Sequence, residues 1–358
     1  MKIGGNMKRL IYILLSLLVL AQFALAGHKL NVVTTLSTYA DIAQKIGGDK
    51  VEVHYIVPGN QDPHFVRPKP SYAVLLNKAD IFVSTGLDLE LWVPTLVDMS
   101  KNPKIRSGQI GYVSASYGIH LLEKPKVFSR SEGGLHIYGN PHIITGPLNF
   151  IHIAENIETG LEKNDPANAA YYQTNLKTFK NQLYNRLYGE KLVQLMGGPL
   201  LAKLTENEQL IPFLQKNTFK GKKLIDYLGG WMKQGMIFRG KKIVTYHKNW
   251  VYFRHTFGID VVGHVEPKPG IPPSPKHVEA LVQEMRKFNV KVLLAANYFS
   301  KKKVVEICDK VGAIPVIVPM GVKGAPGTDD VFELVDTWVT NLREAFLKAE
   351  SGQTSSEK

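Results

Sequence analysis

The chain has 358 residues, of which 44% are hydrophobic and 21% charged, and its formal net charge is +13. That length is enough for two ordinary domains, and the balance is that of a globular protein, which excludes wholesale disorder. The lysines are scattered apart from small clusters at 220–223 and 301–303, and no alternation of basic and aromatic residues marks a nucleic-acid groove, so the charge reads as a solvated basic surface with no nucleic-acid partner.

The first 26 residues read as an export signal. Lys8 and Arg9 form a positive start, 10–20 is almost wholly apolar, and Ala24-Leu25-Ala26 is a small-x-small cleavage site, so the mature chain is expected from Gly27. An uncleaved anchor is the competing reading, weakened because the apolar run is short for a spanning helix. The only cysteine is Cys308, so no intrachain disulfide forms, and no cysteine follows the signal to carry a lipid. These features predict a cleaved, unlipidated protein of the periplasm.

From Lys29 onward, short β-rich runs alternate with helical runs. Leu30 to Thr35, Val51 to Val57 and Ile81 to Ser84 read as strands; 38–46, 72–79 and 89–99 read as helices. Such alternation predicts an α/β lobe, 27–163, with a mainly parallel sheet covered on both faces. Its stretch 108–146 is less regular. Asp165 followed by Pro166 opens a helix, and the apolar stripe Ala169, Tyr172, Leu176, Phe179, Leu183, Leu187 continues it, so 164–196 is expected to be one long connecting helix. An irregular insertion of short helices and loops is expected at 197–240. A second α/β lobe follows at 241–350, with strands at 243–245, 259–262, 290–295 and 314–318 and a last helix at 330–350, before a disordered tail at 351–358.

Three histidines share a setting. His64 lies in the stiff loop Pro58 to Ser71, whose prolines withhold backbone donors. His142 lies in the turn-rich stretch before Pro147, and His247 follows the strand 243–245. Each is expected next to a strand or at its end, where ligands of open parallel sheets bind. Two such lobes facing each other would bring the three into one cleft, and three neutral imidazoles leave one position of a tetrahedral zinc site open. Their wide spacing is by itself not diagnostic.

The ordered set of motifs adds to this. Asp62-Pro63-His64 with Arg67-Pro68-Lys69-Pro70-Ser71, then Asn140-Pro141-His142 leading to Pro147-Leu148-Asn149, then Val244-Thr245-Tyr246-His247 with Tyr252-Phe253, and the proline-rich run 267–275 resemble the solute-binding proteins of zinc and manganese ABC transporters. The resemblance covers most of 30–347. It implies two α/β lobes joined by a long backbone helix, with the metal between them at His64, His142 and His247. The sequence departs from the family pattern at three points. Asn140 stands where an aspartate is usual, Asn297 where an acidic residue is common, and Pro319-Met320-Gly321 where the fourth ligand, an aspartate, would fall. A long histidine-rich loop is also absent, leaving only His120 and His136. Water, His136 or Glu266 is therefore expected to complete the shell.

The resemblance implies no catalysis. It implies capture of a metal ion, zinc in preference to manganese because nitrogen donors suit Zn²⁺, and its delivery by a monomeric protein to a membrane permease. A three-histidine zinc hydrolase and a metal chaperone or adhesin without transport are the alternatives. The first lacks an obvious general base beside a histidine motif.

Overall fold

The computed structural model describes residues 29–124, 137–268 and 270–352. The expected signal segment, His28, His136, Pro269 and residues 353–358 lie outside the described residues.

The first lobe is built on four parallel strands, β1 (Leu30–Leu36), β2 (Val51–Val57), β3 (Ile81–Ser84) and β4 (Tyr112–Ser114), in the order β2-β1-β3-β4. The two central strands are buried almost throughout, which is why they read as continuous Val/Ile/Phe/Thr runs rather than alternating ones. β4 was not foreseen in the irregular stretch: it has three residues and pairs only with β3, so period-2 patterning is barely expressed in it. The helix expected at 89–99 begins at Val93, because Leu87 and Asp88 hold left-handed φ values of 59° and 61° and Pro94 fits the first turn.

A short antiparallel hairpin, β5 (Thr218–Phe219) with β6 (Lys222–Lys223), lies within the expected insertion, among the short helices Gly198–Glu206, Leu210–Lys216 and Gly230–Gln234. The second lobe has four parallel strands, β7 (Lys242–Thr245), β8 (Asp260–His264), β9 (Val292–Ala296) and β10 (Ile314–Val318), in the order β10-β9-β7-β8.

The connecting segment is divided. The helix Asn149–Asn164 ends before a 3₁₀ turn, Pro166–Asn168, and the long helix Ala169–Tyr188 follows. Gly189 then breaks it at φ +82°, lying against Gly229 where a Cβ would meet the opposite backbone at 2.7 Å, and Glu190–Met196 is a separate helix. The Asp165 side chain does not cap a backbone N–H; its Oδ2 accepts from the Tyr172 hydroxyl at 2.6 Å and from Asn168 Nδ2 at 2.7 Å.

The helix Ala169–Tyr188 touches both lobes. Asn175 Nδ2 donates to Ile46 O at 2.9 Å in the first, while Phe179 lies 5.5 Å from Phe332 and Arg186 pairs with Asp336 at 2.7 Å in the second. One hydrophobic core runs without interruption from Val32 and Phe82 to Val292, Trp250 and Trp338. A smaller core, including Val244, Leu293, Ala295, Val304 and Cys308, covers the far face of the second sheet.

Candidate metal centre

His64 hangs on the proline loop that leaves the carboxyl end of β2. That loop is tied down: the Trp92 indole N–H donates to Pro63 O at 2.8 Å. Trp92 belongs to a segment anchored by the buried Glu90, whose Oε1 accepts from the Thr35 and Thr85 hydroxyls at 2.7 and 2.6 Å and from Thr85 N–H at 3.2 Å. Burial pushes the Glu90 carboxyl above its ordinary range, and these donors pull it back.

His142 does not adjoin a strand, contrary to the expectation. It opens a 3₁₀ turn, Ile143–Thr145, ahead of the helix Asn149–Asn164, and is set in place by the other lobe: the Thr145 hydroxyl donates to Asn249 O at 2.8 Å and the Tyr252 hydroxyl to Asn140 O at 2.6 Å. His247 follows β7 as expected.

The three side chains converge. One ligating nitrogen from each of His64, His142 and His247 lies within 4.8 Å of the other two, and the ring centroids are 5.0 to 5.7 Å apart. His142 and His247 are buried and His64 is partly so. Separations of this size allow one small cation to be shared among three imidazoles.

Each ring has an oxygen near its Nδ1. Asp62 Oδ1 accepts from the backbone N–H of His64 at 3.0 Å and lies 2.8 Å from its Nδ1. Asn140 Oδ1 does the same for His142, at 3.0 and 2.9 Å. The two D/N-Pro-His motifs are thus one local design, in which the residue before proline turns its oxygen back onto the histidine. Glu266 Oε2 lies 2.8 Å from His247 Nδ1, close enough for an ion pair though not aligned as a hydrogen bond, and Glu266 Oε1 accepts from Gly270 N–H at 2.7 Å. With Nδ1 occupied in this way, Nε2 is the atom each imidazole offers a metal, a tautomer choice set by neighbours of the ligand.

Glu266 therefore sits behind His247, and the group of mutually close ligating atoms among the described residues comprises the three histidines alone. His136 lies outside the described residues. The other described histidines stay apart from this group: among them His54 pairs with Glu52, His152 with Glu155 and His255 with Glu208, while His120 is exposed.

His264 is different. Burial pushes its imidazole down to about 3, with Lys248 adding to the effect, so it is neutral. The Thr245 hydroxyl donates to His247 O at 2.9 Å, so the 2.8 Å contact between Thr245 Oγ1 and His264 has the ring's Nδ1–H as donor. His264 matches none of the three ligand motifs. No spacing signal connects it to His247, because β8 reaches β7 only through sheet pairing.

Comparison with known proteins places this architecture. The family described as zinc-uptake complex component A, periplasmic, matches residues 32–186 and 203–345, well over half of the chain. The metal ABC transporter substrate-binding lipoprotein ScbA of Streptococcus cristatus is 34% identical over 179 residues, covering 46% of this chain and 54% of the relative. The manganese ABC transporter substrate-binding lipoprotein PsaA of Streptococcus mitis is 34% identical over 164 residues, covering 45% of this chain and 50% of the relative. The match thus spans about half the length of these curated relatives.

Among solved structures, a crystal structure of ZnuA aligns with TM-score 0.63 and 22% identity over 88% of this chain and 99% of that chain. The Mn-bound periplasmic metal binding protein from Candidatus Liberibacter asiaticus aligns with TM-score 0.61 and 19% identity over 89% of this chain and 100% of that chain. At these identities the structural likeness speaks for the two-lobed fold. With the family match extending through both lobes, the chain belongs to the family of the periplasmic component A of the zinc-uptake complex, among the solute-binding proteins of metal ABC transporters.

Proposed function

We propose that this protein is the exported metal-capturing component of an ABC transporter, that it takes zinc in preference to manganese at His64, His142 and His247, and that it hands the ion to a membrane permease. The observation that carries the reading is the group of three imidazoles within 4.8 Å, with no carboxylate among the ligating atoms of the described residues. Nitrogen donors suit Zn²⁺, whereas Mn²⁺ takes oxygen more readily. Asp62 and Glu266 hold the charge that balances a dication one bond further out, on His64 and His247. Because both carboxylates are engaged by histidines, neither is placed as a free general base, which favours binding over hydrolysis. Water or His136 completes a tetrahedral shell in this reading, and Glu266 orients rather than ligates.

Manganese is the second reading, favoured by the names of relatives such as PsaA. A competition titration with both ions decides between them. The expected result is one tightly held zinc per chain, weaker manganese, and affinity that weakens as the pH is lowered, because protons compete for the imidazoles. His64→Ala, His142→Ala and His247→Ala should each lower zinc affinity by about 100-fold or more, above the usual cost of losing only an orienting partner. Equal or tighter manganese binding would overturn the zinc assignment, and wild-type affinity in any of the three variants would remove that residue from the site.

A further inference from the structure

Asn140 is buried, and every hydrogen-bonding position of its side chain is used. Oδ1 accepts twice from His142, at 3.0 Å from the backbone N–H and 2.9 Å from Nδ1. Nδ2 donates to Lys248 O at 2.8 Å and to Glu123 Oε2 at 3.3 Å. The amide therefore has one orientation: flipped, it would set N–H against two donors and oxygen against two acceptors. Glu123 is held in turn by Arg254, whose guanidinium reaches Oε1 at 3.3 Å. Its backbone stands at φ +52°, a conformation that non-glycine residues adopt at a cost and that surrounding contacts must maintain. Asn140 N–H also donates to Leu122 O at 2.8 Å, so the two segments run side by side where Glu123 meets the amide.

The comparison with the other motif says what Glu123 is for. At Asp62 a carboxylate acts on the histidine directly, and that side chain retains more exposure to water than the buried Asn140. At 140 a neutral amide makes the same two contacts, and the negative charge lies one residue further out. We infer that Glu123 is a positioning residue of the metal site: by accepting from Asn140 Nδ2 it locks the amide so that Oδ1 holds a proton on His142 Nδ1, presenting Nε2 to the ion. This rests on His142 being a ligand, as proposed above. An aspartate at 140 would point its second oxygen at the Lys248 carbonyl and the Glu123 carboxylate together, which accounts for the amide at this position.

The test is a double-mutant cycle read by zinc competition titration. Glu123→Ala should weaken zinc binding by about 10-fold, and Glu123→Gln, which keeps an acceptor oxygen, should recover most of that loss. Asn140→Asp should weaken binding more. Adding Glu123→Gln to Asn140→Asp should then restore about 10-fold, because a glutamine can turn its N–H₂ toward the new carboxylate. In the apoprotein, ¹⁵N spectra of the His142 ring should show the Nδ1–H tautomer in the wild type and a mixture in Glu123→Ala. If Glu123→Ala does not fold, the Gln/Asp cycle carries the test by itself. Additive effects in the cycle, or an unchanged His142 tautomer, would overturn the role of Glu123 while leaving the histidine site standing. A wild-type chain that binds no zinc would instead overturn the site.

Discussion

Met320 stands where the family pattern leads one to expect an acidic ligand, and its surroundings already suit an acceptor. It is buried, and its sulfur receives Asn249 Nδ2 at 3.1 Å and the Tyr298 hydroxyl at 3.3 Å. Burial raises the Tyr298 phenol well above its ordinary range, and the charge of Asp62 raises it further, so it stays a donor. Met320→Asp should therefore fold, with both donors turned to the new carboxylate, and should tighten zinc by about 1–3 kcal/mol in a competition titration through the added anion. Gly321→Asp is not an equivalent alternative. A Cβ there would lie 2.8 Å from Gly59 Cα and 3.2 Å from Ser37 Oγ, so that variant should lose thermal stability instead. Asn297, also at a position where the family is commonly acidic, donates its Nδ2 to Gly324 O at 2.9 Å. A carboxylate in its place would face that carbonyl without a hydrogen to offer.

At the scale of elements, the loop after β2 and the loop after β10 meet backbone to backbone. Gly321 N–H donates to Gly59 O at 3.1 Å, and the Ser37 hydroxyl donates to Val322 O at 2.7 Å. A Cβ on Gly59 would run into the backbone of Gly321 and Val322, which cannot give way as a flexible side chain could. Gly59→Ala should thus destabilise the protein by about 1–3 kcal/mol, the usual range for overpacking, and should weaken zinc binding as well because the His64 loop begins there. Chemical denaturation checks the first effect and titration the second. Unchanged stability would mean that the two loops part more easily than their packing implies. The division of the connecting segment is decided at the same scale. The stripe from Ala169 to Leu187 is helical, but Gly189 lies so close to Gly229 that the chain takes a positive φ and starts a new helix.

Across the whole molecule, the two lobes share a continuous core and a polar seam, so the ion capture proposed above does not call for a wide hinge. In the seam, Asp41 on the helix Ser37–Gly47 accepts from Val331 N–H at 2.9 Å, at the start of the helix Val331–Glu350. Lys45 lies between Asp41, at 3.7 Å, and Asp330, at 3.0 Å. Burial pushes Asp41 up to about 6 from an ordinary 3.8, against the pull of Lys45. The folded state therefore keeps its proton after the unfolded chain has lost it. Between about pH 4 and pH 6 the native state binds more protons, so this group lowers stability as pH rises, with the full cost present above pH 6. Asp41→Asn keeps the acceptor for Val331 and removes the titration. Over that window its stability relative to wild type should rise with pH by on the order of 2 kcal/mol, read from denaturation curves at each pH. A flat difference would place Asp41 in a more solvated seam.

Much of this was legible before any coordinates. The alternation of β-rich and helical runs specified two parallel-sheet lobes, since strands buried on both faces need uninterrupted Val and Ile. Asp330 was readable as the start of the last helix, and its side chain does accept from Phe332 and Glu333 N–H. The motif order singled out His64, His142 and His247; for the first two, a histidine two residues after Asp or Asn with proline between is a local pattern with a local cause. What depended on tertiary structure is everything that acts across the fold. The role of Glu266 behind His247, the bridge of Thr245 to His264, the grip of Glu123 on Asn140 and the donors that Asn249 and Tyr298 turn to the Met320 sulfur join residues far apart in the chain. No period or spacing encodes them: hydrogen bonds and excluded volume depend on distances of a few ångströms, and the chain sets those only when both lobes are packed.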